Sequence, residues 1–194
     1  MAEWWKNGHK IPLDNENFQT ILRFYLFECP VTTESKVKGK KVKKHISARG
    51  VALERQGWSG KTLNTLLSAM KRKASSGLKY IIVEASNDVQ SIVKSEESTS
   101  NQSDLEFEMV IFKENTVMGK TKSIFYMIRN ALAHGSFSVV ETDSGCVYYF
   151  QSDKDGDVKG QLRLKEKTLL AWIKLVQTPV SELRRKGKKE RASV

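Results

Sequence analysis

From Thr116 to His134 the chain reads as one long amphipathic helix, and this segment constrains the fold more than any other. It contains no proline, its single glycine (Gly119) falls in the first turn, and Gly135 follows where glycine favours a C-terminal stop. At about 100° per residue, Ile124, Phe125, Ile128, Ala131 and Leu132 fall on one arc roughly 120° wide. Ser123, Tyr126, Asn130, Ala133 and His134 fall on the opposite arc, with Arg129 at its edge. One stripe must be buried against other elements. The other stripe carries chemistry.

Arg129, Asn130 and His134 put a permanent guanidinium, an amide and a titratable imidazole within six residues. Asn130 and His134 are four apart, so they are neighbours one turn from each other. His134 lies in the last turn, where the helix dipole favours a cation. An imidazole there suits proton transfer near neutral pH, and an Arg beside it suits a phosphodiester. A plainer reading stands next to this one: His134 and Arg129 serve only to cap the helix end.

The rest of the chain reads as mostly helical. Asp14 or Asn15 caps a helix through Glu28, ended by Cys29-Pro30; Ser59 caps another through about Ala74. Leu78, Ile81, Ile82, Ala85, Val89, Ile92 and Val93 keep a three-to-four spacing that favours a third helix to about Ser95. Leu105 to Ile111 alternates as a short strand. Phe137 to Glu141 and Cys146 to Gln151 flank a hairpin turn, and Gln161 to Leu164 adds a strand. A last helix starts near Thr168 and stops at Pro179. The reading is a mainly α (α+β) chain with one domain over 1–179. That domain contains a mobile basic loop at 36–49 and a polar connector at 96–104, and a basic, flexible tail follows at 180–194.

The net charge of +11 is unevenly placed. Lys36 to Arg49 holds seven Lys or Arg and no acid; Val180 to Val194 holds six against Glu182 and Glu190. The remaining residues are balanced. Such segments are either solvated arms or phosphate contacts that steer a polyanion. Lys40, Lys41, Lys43 and Lys44 are the candidate RNA contacts, with Tyr126 and Ser136 beside the central helix end. Cys29 and Cys146 read as free thiols of a reducing compartment, and no window has the length of a membrane span, so the expected location is cytoplasmic. The three histidines and two cysteines offer no zinc spacing, and neither metal nor cofactor is expected. Gly57 to Thr62 lacks the first glycine of a phosphate loop, since Arg55 occupies its place. Asp153 to Asp157 fails as a calcium loop and reads as a solvated turn. Trp4, Trp5, Trp58 and Trp172 read as packing rather than base-stacking residues.

The stretch Ile128-Arg129-Asn130-Ala131-Leu132-Ala133-His134-Gly135 resembles the signature of the HEPN superfamily, the higher-eukaryote and prokaryote nucleotide-binding domains. That signature is an Arg, a polar residue after it, and a His four to six residues past the Arg, late in a helix. The resemblance implies an antiparallel bundle of about four to five helices, here decorated with a β-hairpin after the motif helix. It also implies a homodimer and metal-independent endoribonuclease activity, with Arg129, Asn130 and His134 catalytic and with 2′,3′-cyclic phosphate and 5′-hydroxyl products. Many members are toxins or phage-defence (abortive infection) effectors restrained by an antitoxin or other regulatory partner. Some carry a Tyr two residues after the His, where this chain has Ser136. A module that binds RNA or protein without cutting is the alternative.

Overall fold

A computed structural model describes residues 12–37, 40–47, 49–74, 78–99, 107–115 and 117–183. Helix α1 (Glu16–Leu22) starts at Asn15, whose side chain accepts the Phe18 N–H at 3.0 Å, and widens into a π-helical turn over Arg23–Phe27. A hairpin of β1 (Thr32–Val37) and β2 (Lys40–His45) follows, then a 3₁₀ turn (Leu53–Gln56) and α2 (Lys61–Lys73). Next come β3 (Lys79–Val83), α3 (Val89–Thr99), β4 (Met109–Lys113) and α4 (Lys120–His134). The chain closes with β5 (Phe137–Thr142), β6 (Gly145–Lys154), β7 (Asp157–Lys165) and α5 (Glu166–Gln177).

Five of these strands form one mixed sheet in the order β3-β4-β7-β6-β5. Only β3 and β4 run parallel; every other pair is antiparallel. A parallel pair needs a crossover, and α3 supplies it as the middle of a βαβ unit. Alternation along β4 divides the core. Val110 and Phe112 join the main cluster with α1, α2, α4 and α5, whereas Met109 and Ile111 meet Val89 and Val93 of α3 on the other face. The expected helical bundle with a hairpin decoration is therefore overturned: this is an α/β architecture built on a mixed five-stranded sheet.

The errors have physical causes. The apolar run of residues 78 to 93 is a strand followed by a helix, and β3 lacks alternation because both of its faces are partly covered. The α3 start is marked by Asp88, whose carboxylate accepts the N–H groups of Gln90 and Ser91 at 3.1 and 3.2 Å. Thr99 ends α3, so the expected connector begins inside a helix, and 100–106 lies outside the described residues. The basic stretch expected as a mobile loop is an antiparallel ladder from Thr32 opposite His45 to Val37 opposite Lys40. Ser59 does not cap α2. Gly60 holds that position, and Thr62 Oγ1 accepts the Ser59 N–H at 2.7 Å, reversing the expected direction. The tail opens as a helical turn with Val180 buried, while 184–194 lies outside the described residues.

The central helix matches its pattern. Ile124, Phe125, Ile128, Ala131 and Leu132 are all buried, a stripe worth about 1.5–3 kcal/mol for each large side chain. Behind it the π turn contributes Tyr25, stacked on Phe125 and donating its hydroxyl to the Leu169 carbonyl at 3.1 Å. Burial pushes that phenol well above its ordinary pKa. Gly160 of β7 lets α4 lie close to the sheet: a β-carbon there would collide with Met127 Sδ and stand 3.0 Å from Phe112 Cβ. Trp58 and Trp172 are core residues, and Trp172 donates to the Met70 carbonyl at 2.9 Å. Trp4 and Trp5 lie outside the described residues.

Candidate functional site

The polar arc of α4 forms one wall of a cleft of about 940 Å³. Ser123, Tyr126, Arg129, Asn130 and His134 line that wall. Phe112 and Met127 supply an apolar floor. The far wall comes from strand ends: Lys113, Glu114 and Asn115 where β4 stops, Ser152 to Lys154 at the end of β6, and Lys159 of β7. Ala85, just past β3, lines it as well, so the cleft opens where the two parallel strands end, a usual place for a ligand in α/β sheets. A smaller cavity of about 340 Å³ adjoins it and shares Asn130, His134, Ser152 and Asp153.

Both ends of α4 are fixed by local chemistry. The Asn115 side chain accepts the N–H groups of Val117 and Met118, and the Ser123 hydroxyl donates to the Gly119 carbonyl. At the far end Gly135 adopts φ +68°, and the Ser136 N–H returns to the Ala131 carbonyl at 2.8 Å, the six-to-one bond of a Schellman closure. The Ser136 carbonyl then accepts the Gln151 N–H at 2.9 Å. This pins His134 next to the end of β6. Its imidazole is exposed and has no hydrogen-bond partner among the described residues.

Arg129 is half-buried and leans inward. Nη2 donates to the Ile46 carbonyl at 3.3 Å and Nη1 to Asn130 Oδ1 at 3.4 Å, while Nε is buried with no partner among the described residues. Ile46 roots the β1–β2 hairpin through its N–H to the Val31 carbonyl, so the lysine-bearing hairpin rises from the edge of the cleft. The side chains of Lys40, Lys41, Lys43 and Lys44 lie outside the description. Tyr126 is partly buried on the α4 wall; Ser136 is buried and reaches only the smaller cavity.

Lys113, Arg129, Lys154 and Lys159 line the cleft against Glu114 and Asp153, which leaves a cationic surplus. Sequence reading missed the far wall. Asp157, taken for part of a solvated turn, accepts Lys113 Nζ at 2.7 and 2.9 Å and Lys159 Nζ at 2.5 Å. Those lysines, Lys113 first, hold its carboxyl below the usual carboxylate range. The ladder shifts register between Ser152 and Asp153, and this irregularity falls next to Lys159. A strand ending in Lys113 after a βαβ crossover is the one signal that could have pointed here.

Cys29 and Cys146 are free and buried, as expected. Burial pushes the Cys29 thiol up to about 12, with Arg129 opposing the shift. Among the described residues no group of three or more His, Cys, Asp or Glu could hold a metal ion, and no helix is long and apolar enough to cross a membrane. No family model, curated protein or solved structure matches the chain. What the fold and cleft define is a class only: an α/β protein with a basic, open-mouthed groove beside an Arg-Asn-x-x-x-His helix end.

Proposed function

We propose that the chain is a metal-independent endoribonuclease acting on single-stranded RNA through this cleft. One observation carries the reading: Arg129, Asn130 and His134 line a single wall, and lysines stand on the wall facing it. A phosphodiester between those walls meets the Arg129 fork, which offsets charge on the phosphoryl oxygens. His134 takes the proton of the 2′-hydroxyl, the 2′-oxygen attacks phosphorus, and the bond to the 5′-oxygen breaks as that oxygen takes up a proton from a general acid or from water. The products are a 2′,3′-cyclic phosphate and a 5′-hydroxyl, and DNA is not cut. Asn130 orients the phosphate or the imidazole. The apolar floor and Tyr126 accommodate an unpaired base, and Lys40, Lys41, Lys43 and Lys44 on the hairpin add sequence-blind attraction.

The reading includes the homodimer and the toxin or phage-defence role that the resemblance implies. It rests on the site, because the helical bundle expected from the same resemblance is not the fold. The imidazole, unpartnered among the described residues, favours a second reading, a module that binds RNA without cutting. The test incubates the protein with mixed tRNA and a single-stranded RNA in EDTA, beside Arg129→Ala/His134→Ala. Cleavage by the unaltered protein alone supports the nuclease. Uncut RNA that is tightly bound by both proteins supports the binding module instead.

A further inference from the structure

The far wall raises a separate question: why two lysines should share one aspartate at the rim of a groove. Lys113 is deeply placed, with its side chain 11% exposed, whereas Asp157 and Lys159 remain 44% and 41% exposed. An isolated ion pair at this position contributes little to stability, since exposed pairs are worth about 0–1 kcal/mol. Among the described residues the arrangement leaves donors free. Each ammonium carries three N–H groups; Lys159 gives one to Asp157, and Lys113 directs its contacts at the two Asp157 oxygens. The trio keeps a net charge of +1; Lys154 beside it is set against Glu114 and Asp153, so the wall is charge-balanced as a whole and its pull on an anion is local to the two ammonium groups. Its position is set by β4, by β7 and by the irregularity in the β6–β7 ladder, not by a mobile loop.

From this geometry we infer that Lys113 and Lys159, positioned by Asp157, form a second phosphate seat across the cleft from Arg129. The inference rests on the reading of the cleft as an RNA site and deepens it. The groove holds two consecutive phosphates of a single strand, one against Arg129, Asn130 and His134 and the next against the lysine pair, with the base between them beside the partly exposed Tyr126. Asp157 is a positioning residue: it holds the two ammonium groups together without itself touching the ligand. A groove of about 940 Å³ has room for more than a mononucleotide, since whole small-molecule sites run to roughly 300–1,000 Å³. A duplex presents its phosphates on the outside of a wide cylinder and does not enter.

The test uses the full chain carrying His134→Ala, so that binding is read without turnover. Fluorescence-labelled uridine dinucleotides are titrated with and without an extra terminal phosphate, at the 5′ or the 3′ end. The expected result is tighter binding of one phosphorylated form. Lys159→Met then weakens that form about tenfold and the unphosphorylated dinucleotide less than twofold. Lys159 is chosen because it is exposed enough to be replaced without unfolding; Asp157→Asn, which keeps both lysines, is the second variant and erodes the same preference by scattering them. Lys174→Met on the outer face of α5 controls for loss of charge alone and leaves the preference intact. Equal losses for both ligands, or no preference before mutation, overturn the second seat. Retained preference in Lys159→Met does so as well. Cleavage is scored separately in the chain with His134 restored: cutting without the preference sinks the second seat alone, and the preference without cutting sinks the nuclease alone.

Discussion

His134→Ala separates a catalytic imidazole from a helix cap, because the structure makes the two roles differ in size. The ring is exposed and has no hydrogen-bond partner among the described residues, and the stop at Gly135 is closed by backbone groups. Removing it therefore costs within about 0.5 kcal/mol of stability, as for surface residues without such ties. For a chain of this length that is a melting shift of roughly 1–2 °C. Loss of a general acid or base costs about 10²–10⁴ in rate, or about 3–5 kcal/mol in the barrier. Arg129→Ala must behave differently. It deletes a half-buried stem and two long hydrogen bonds, worth about 1–2 kcal/mol and roughly 2–8 °C, besides its effect on rate. Single-turnover cleavage of a labelled single-stranded RNA in EDTA, with thermal melts of the same preparations, reads both quantities. A His134→Ala protein that cuts at more than a tenth of the normal rate would refute the assignment. So would a loss of cutting that appears only with a melting drop above about 4 °C.

Gly160→Ala should destabilise the chain by about 1–3 kcal/mol in chemical denaturation, because a methyl group there collides with Met127 and crowds Phe112; an unchanged midpoint refutes the close packing of α4 on β7. Thr62→Val should cost about 1 kcal/mol and Ser59→Ala close to nothing in the same assay, the reverse of what a Ser59 cap requires. Cys29 should resist iodoacetamide at pH 8 in the native protein and react on unfolding, since burial raises its pKa to about 12; rapid native labelling read by mass spectrometry contradicts the buried placement. Asp157, held low chiefly by its bond to Lys113, should titrate by carboxyl-carbon NMR below the unfolded value of about 3.9. Because the folded value is the depressed one, this contribution to stability is present above that pH and is lost as the pH falls through the folded value; Asp157→Asn removes the dependence, and a midpoint at or above 3.9 refutes the contact.

What the sequence made legible was local. The α4 stripe, its stop at Gly135, the β5–β6 hairpin, the Asn15 cap and the core tryptophans Trp58 and Trp172 all depend on spacing or on a single residue's chemistry. Sheet membership was not legible, because β3 is covered on both faces and its Ile81-Ile82 pair fits a helix as well as a strand. The hairpin of β1 and β2 was hidden by lysine, which disfavours strands only weakly and masks the pairing of backbone groups. That Arg129, Asn130 and His134 share one wall of the cleft was legible because they are close in sequence. The meeting of Lys113, Asp157 and Lys159 was not, because three different strand positions bring them together and only the register of β4 and β7 tells which residues meet.

That division bears on whether one chain makes a working site. Read from α4 alone, a single Arg and a single His are few groups for phosphodiester chemistry, and a second protomer is the natural source of more. The sheet brings Lys113, Lys154 and Lys159 to the facing wall in the same chain, so the proposed phosphate contacts draw on one protomer. Proton transfer is the part left incomplete: two protons must move, the imidazole lies exposed, and no described side chain hydrogen-bonds it. In the proposed dimer a second copy facing His134 would supply the missing acid or base, yet two chains of +11 repel each other. Added salt screens that repulsion and also weakens RNA binding. If the dimer completes the chemistry, the single-turnover rate at saturating RNA rises with protein concentration and rises further with moderate salt, while the affinity measured on His134→Ala falls. A rate independent of both, with affinity still falling, places both proton transfers within one chain and leaves Asp153, which shares the smaller cavity with His134, as the residue to replace next.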